Sequence, residues 1–274
     1  MQNKFGPIGL FDSGVGGTSI WKEIEQLMPS ENTIYLADSR NAPYGEKSPE
    51  EIMRLSIKNT ELLIEQGCKI VVVACNTATT NSIKHLRTKF DIPFIGIEPA
   101  IKTAALNSKS GAVGILATKG TLNSNLFHET AGQYGNKVKR VEIIGEGLVP
   151  LIEEGLVNGP QIDLLLAKYL KPMIKANVDH IVLGCSHYPY LIPAIKKHLP
   201  KSINIIDSGH AVARQTKAIL KAKTLLNYSE TAPPKLRKEF WTNDNPYALE
   251  KLLKTSSKAH LTQGMRPIIL IKDF

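Results

Sequence analysis

The chain has 274 residues, 42% hydrophobic and 22% charged, with 34 Lys and Arg against 25 Asp and Glu and a formal charge of +9. That length suits one large domain or two modest ones, and the composition excludes a disordered or fibrous chain. No apolar run is long enough to span a membrane, the opening Met1-Gln2-Asn3-Lys4-Phe5-Gly6-Pro7 lacks a signal-peptide core, and three cysteines cannot make a fully paired framework.

Apolar runs alternate with longer helix-like stretches. Strands are predicted over residues 8–11, 33–37, 70–74, 94–97, 112–116, 141–144, 180–183 and 203–206, with helices over 50–66, 79–90, 161–175 and 192–199. The alternation predicts βαβ units and parallel sheets. After Ala232-Pro233-Pro234 the tail reads as an appendage, with one strand around Phe240 and Trp241 and a helix over 247–253.

The first strand runs into Asp12-Ser13-Gly14-Val15-Gly16-Gly17. Glycines before a helix allow the backbone to approach an anion closely. Gly14 and Gly16 would begin a dinucleotide fingerprint, but Ser19 stands at its third glycine, so a nicotinamide cofactor is not expected. The second strand ends in a bend-rich loop, Asp38-Ser39-Arg40-Asn41-Ala42-Pro43-Tyr44-Gly45. Its Tyr44 hydroxyl and Gly45 backbone can border a ligand.

Two strands end in cysteine. Cys75 follows residues 70–74 and precedes Asn76-Thr77; Cys185 follows residues 181–184 and precedes Ser186-His187. Ligands bind at the carboxyl ends of strands in open α/β sheets. A helix starting there favours thiolate and offers N–H groups to a carboxylate, and His187 can tune or share the proton of Cys185. Taken singly, each motif also reads as a buried Cys beside a helix cap. Cys68, just before its strand, reads as filler. A second echo sets Asp12-Ser13-Gly14 beside Asp207-Ser208-Gly209. Together the echoes predict two similar α/β lobes, each a mostly parallel sheet flanked by helices, facing a common cleft. The lobes are expected over residues 1–98 with 208–274, and over 99–207. Two thiols facing one substrate suit removal of a proton by one sulfur and its return by the other.

The positive charge is dispersed. Its densest stretches (Lys196-Lys197, Lys201, Lys235 to Lys238) are short and carry no interleaved aromatics, so no nucleic acid is expected. A solvated basic surface favours an anionic small molecule.

The phrases IGLFDSGVGG, YLADSRNAPYG, VVVACNTATT, GIEPA, VPLIEEG and VLGCSHYPYL, in this order, closely resemble the glutamate racemases of the aspartate/glutamate racemase superfamily. The resemblance covers roughly residues 6–222. It implies two α/β lobes, no cofactor, no metal, and L- or D-glutamate as substrate. It also implies a cytoplasmic role supplying D-glutamate for peptidoglycan, and it leaves a homodimer open as the assembly. By motif match Cys75 and Cys185 are the acid/base thiols, Asp12 supports Cys75, and His187 supports Cys185. Asp12, Ser13, Tyr44, Gly45, Asn76, Thr77, Ser186 and His187 match substrate contacts, as do Thr118 and Thr121. Asp38 and Glu153 match acidic positions nearby. Ser186 replaces a usual Thr and Ala117 a usual Gly; neither change touches the thiols. Competing readings are a racemase for another acidic amino acid such as aspartate, a Cys-His hydrolase, and a non-catalytic amino-acid binding protein. The hydrolase leaves Cys75 without a purpose.

Overall fold

A computed structural model describes residues 3–133, 138–227, 236–260 and 268–274. Strand β1 (Ile8–Asp12) is followed by α1 (Thr18–Leu27), β2 (Thr33–Ala37), α2 (Pro49–Glu65), β3 (Ile70–Val73), α3 (Asn76–Lys89) and β4 (Phe94–Gly96). Then come α4 (Ile101–Asn107), β5 (Ala112–Ala117), α5 (Lys119–Leu122), α6 (Asn125–Gly132), β6 (Lys139–Ile144), α7 (Leu148–Glu153), α8 (Pro160–Lys175) and β7 (His180–Gly184). The chain continues through α9 (Ile192–His198), β8 (Asn204–Ile206), α10 (Gly209–Ala222), β9 (Lys238–Thr242), α11 (Tyr247–His260) and β10 (Ile268–Ile271). Among the described residues no helix is long and apolar enough to cross a membrane.

The strands form two sheets, ordered β10-β9-β2-β1-β3-β4 and β6-β5-β7-β8. Their pairings are parallel. Helices cover both faces of each sheet, so β1, β2, β3, β5 and β7 are buried at every position. Burial on both faces is why these strands read as near-continuous apolar runs. One apolar cluster is continuous between the lobes, joining Trp21 and Ile24 to Leu148, Ile152 and Leu191. The outer faces carry separate clusters around Val71 and Val73, and around Val113 and Val182.

The order β2-β1-β3-β4 recurs as β6-β5-β7-β8. Cys75 and Cys185 follow the third strand of each set, so the cysteine echo is a topological equivalence. The Asp-Ser-Gly echo is only local. Asp12 ends a first strand and Asp207 follows a fourth, yet each carboxylate accepts the N–H two residues on, at 2.9 and 2.8 Å. In each sheet the chain turns outward in opposite directions from a central pair, β1/β3 and β5/β7. Such a switch opens a crevice at the carboxyl ends of the pair.

Several element bounds shift from the sequence expectation, and α11 runs on to His260 rather than stopping at residue 253. Helix α3 starts at Asn76 rather than residue 79, because Cys75 serves as its N-cap: Sγ accepts the Ala78 N–H at 3.4 Å. Strand β6 begins earlier, at Lys139; it is a sheet edge with no fully buried position, so charged residues fit it. The tail adds two strands rather than one. Strand β9 pairs with β2 and β10 with β9, extending the first sheet. The break at Ala232-Pro233-Pro234 lies outside the described residues.

Candidate active site

The two switch points face each other across a cavity of about 10 Å³, room for about one water. Its wall takes Ser13, Tyr44, Gly45, Cys75, Asn76 and Thr77 from the first lobe, and Thr118, Cys185, Ser186 and His187 from the second. Pro43 and Val149 complete it. Neither carries a side-chain polar group that a sequence motif would mark as a contact. Both thiols are buried, and neither is in a disulfide. Asp12, Asp38, Thr121 and Glu153 stand behind the wall, touching residues that form it.

Asp12 is wholly buried at the end of β1. It accepts the Gly14 N–H at 2.9 Å and the Ser186 hydroxyl at 2.8 Å, the latter from the opposite lobe. Burial pushes its carboxyl up to about 6, against the pull of His187 and Ser186. Cys75 Sγ lies 3.7 Å from Ser13 Oγ. The sequence suggested that a helix end would favour thiolate here. Burial, followed by the nearby charge of Asp12, outweighs the Ala78 N–H and Ser13 and holds the Cys75 thiol well above its ordinary range.

Across the cavity, His187 Nδ1 is 3.7 Å from Cys185 Sγ, and Nε2 is 2.5 Å from Glu153 Oε1. Burial opposes a charge on this ring, but the hydrogen bonds and charges of Cys185 and Glu153 win, and the imidazole is raised well above its usual range. Glu153 also accepts the Val15 N–H at 2.8 Å and the Ser39 hydroxyl at 3.3 Å. The anion held by the glycine loop is thus the chain's own carboxylate. Closeness is the reason for both glycines: a Cβ on Gly14 would stand 2.0 Å from Glu153 Oε1, and one on Gly16 2.3 Å from His187 Nδ1. Gly16→Ala should therefore displace the imidazole and lower kcat/KM about 10²-fold, the scale of a misplaced reacting group. Steady-state kinetics alongside a melting curve checks this; unchanged kcat/KM would show that the ring can give way freely.

Tyr44 donates its hydroxyl to Asp38 Oδ2 at 2.5 Å. The Thr77 and Thr118 hydroxyls meet across the lobes at 2.8 Å, and Thr121 supports both, at 3.3 and 3.0 Å. Asn76 Oδ1 is buried and, among the described residues, has no hydrogen-bond partner, so it is an acceptor poised for a donor. A recess of about 510 Å³ adjoins the cavity through Pro43, Gly45, Thr118 and Val149.

A family model described as Asp/Glu/Hydantoin racemase matches residues 8–216. A glutamate racemase from Ralstonia pickettii is 46% identical over 228 residues, covering 83% of this chain and 81% of its own. A solved glutamate racemase isoform from Bacillus anthracis superposes with a TM-score of 0.85 at 30% identity over 99% of both chains. The structure of a glutamate racemase from Francisella tularensis, in complex with D-glutamate, has a TM-score of 0.81 at 27% identity over 99% of this chain and 98% of its own.

Proposed function

The chain belongs to the Asp/Glu/Hydantoin racemase family, and from that premise we propose that it is a glutamate racemase working by proton transfer between Cys75 and Cys185. The observation that carries this reading is that both thiols line one cavity, each from the equivalent strand end of a different lobe. A racemase must reach both faces of one carbon. Two fixed bases do so without either swinging past the substrate. One sulfur, as thiolate, takes the α-proton; the other, as thiol, delivers its own to the opposite face. No atom is gained or lost, and the two sulfurs exchange protonation states.

The remaining groups fit the needs of that step. The first turn of α3, at Asn76 and Thr77, presents N–H groups without helical partners, which can hold the α-carboxylate and the charge that develops as the proton leaves. Asn76 Oδ1 can accept from the ammonium. His187 stands where it can exchange a proton with Cys185, and Glu153 steadies the charged ring. Asp12 sets the charge beside Cys75. The family resemblance implies a cytoplasmic site of action, where the D-glutamate formed would serve peptidoglycan synthesis.

The test is protein stripped of pyridoxal phosphate and metals, in heavy water. It should interconvert L- and D-glutamate, and each product should carry deuterium at Cα. Loss of activity on that stripping would overturn the two-thiol mechanism. Aspartate should be a poorer substrate by about 10- to 200-fold in kcat/KM, because a chain one methylene shorter leaves distal donors unpaired at about 1–3 kcal/mol each. Comparable values for the two acids would point to a broader acidic amino-acid racemase.

A further inference from the structure

The tail is wired into the site wall. Parallel pairing of β9 with β2 sets Thr242 beside Ala37, so the next residues, Asn243 and Asp38, lie together. Both are almost fully buried, as is Tyr44. Asn243 Nδ2 donates to Asp38 Oδ1 at 2.6 Å and to the Phe274 carbonyl at 3.2 Å, while Asn243 Oδ1 accepts the Arg40 N–H at 3.0 Å. The other oxygen of Asp38 seats the Tyr44 hydroxyl, which also receives Asn59 Nδ2 at 3.1 Å. One carboxamide therefore grips the loop at its backbone and at the carboxyl group that holds Tyr44.

We propose that Asn243 is a positioning residue for the reaction, acting through Asp38 to hold Tyr44 against the substrate, so that the carboxyl-terminal strand pair is part of the catalytic apparatus. The kinetic part rests on the racemase reading above; the geometric part does not. Asn243 is matched in shape by Asp, which keeps an acceptor for Arg40 but sets two carboxyl groups face to face.

The test compares Asn243→Ala, Asn243→Asp, Tyr44→Phe and the double variant Tyr44→Phe/Asn243→Ala. Asn243→Ala should lower kcat/KM for glutamate roughly tenfold, the effect of one lost hydrogen bond to a charged group, mainly through KM. In the Tyr44→Phe background the same change should add little. Asn243→Asp should lose more, and recover as pH falls and the new carboxyl takes a proton. A crystal structure of either Asn243 variant should show the Tyr44 hydroxyl off its seat on Asp38. An unchanged Tyr44 position overturns the proposal whatever the activity. So does a twofold or smaller change in kcat/KM in Asn243→Ala, or full additivity with Tyr44→Phe. Inactivity of the unaltered protein toward glutamate would instead count against the racemase reading, and the crystal structures would still decide the geometry.

Discussion

Cys75→Ser and Cys185→Ser should each lower racemisation by about 10³-fold, within the range for loss of a positioned acid or base. Serine fits the space, but its hydroxyl is a far weaker acid than a thiol and cannot hold the charge. The two defects should differ in kind. On the proposed mechanism each sulfur acts as base toward one enantiomer and as acid toward the other. A substrate analogue with a β leaving group separates these roles, since elimination needs proton removal but no return at Cα. One variant should process mainly one enantiomer of the analogue, and the other its mirror image. Cys68→Ser should keep its activity: that sulfur is packed against Gly9 and Leu63, and burial pushes its thiol up to about 12. Equal loss of the same enantiomer in both variants would rule out opposed bases.

Asp12→Asn should be nearly inactive and yet more stable at neutral pH. The amide keeps the geometry, because Oδ1 can still accept from Gly14 and Nδ2 can donate to Ser186. What it removes is a buried charge. The native carboxyl titrates at about 6 against an ordinary 3.8, so the folded state binds its proton more tightly than the unfolded chain. Stability attributable to this group therefore falls as pH rises through the interval between those values, and the full cost stands above it. That cost is at most about 3 kcal/mol, the scale of a shift of roughly two units at 1.36 kcal/mol each. Denaturant titrations should show the variant ahead at neutral pH and the gap closing toward pH ~4. Activity should fall about 10²-fold or more, as the charge beside Cys75 is lost. A variant less stable than the parent at neutral pH would mean that burial is not what raises this carboxyl. The expected gain in stability would mark Asp12 as a residue kept for chemistry at the expense of the fold.

Much of this arrangement is legible in the linear sequence. Runs such as residues 70–73 and 181–183 are apolar throughout because helices bury both faces, and residues after such runs fall at the strand ends where crevices form. Cys75 and Cys185 are legible on those grounds, and the motif resemblance adds their neighbours. Long-range register is not legible. Nothing near Asn243 says that Thr242 will pair with Ala37, so the contact with Asp38 waits on the folded sheet. Gly14 and Gly16 announce a close approach without saying what approaches; the answer, Glu153 and His187, comes from far along the chain. Strand β10 precedes the end of a tail whose apolar run, Ile268 to Ile271, is short and edge-exposed, and a run that brief carries little signal.

The water-sized cavity has a kinetic meaning. An amino acid does not fit a space of about 10 Å³, so capture requires its walls to move; Ser186 to Asp12 and Thr77 to Thr118 are contacts that hold them together. Observed affinity is then the intrinsic affinity reduced by the fraction of time spent open. The association rate should level off at high substrate concentration, at the speed of opening rather than of diffusion. On the proposed mechanism, substitutions that loosen these contacts should quicken capture while letting solvent protons reach the carbanion.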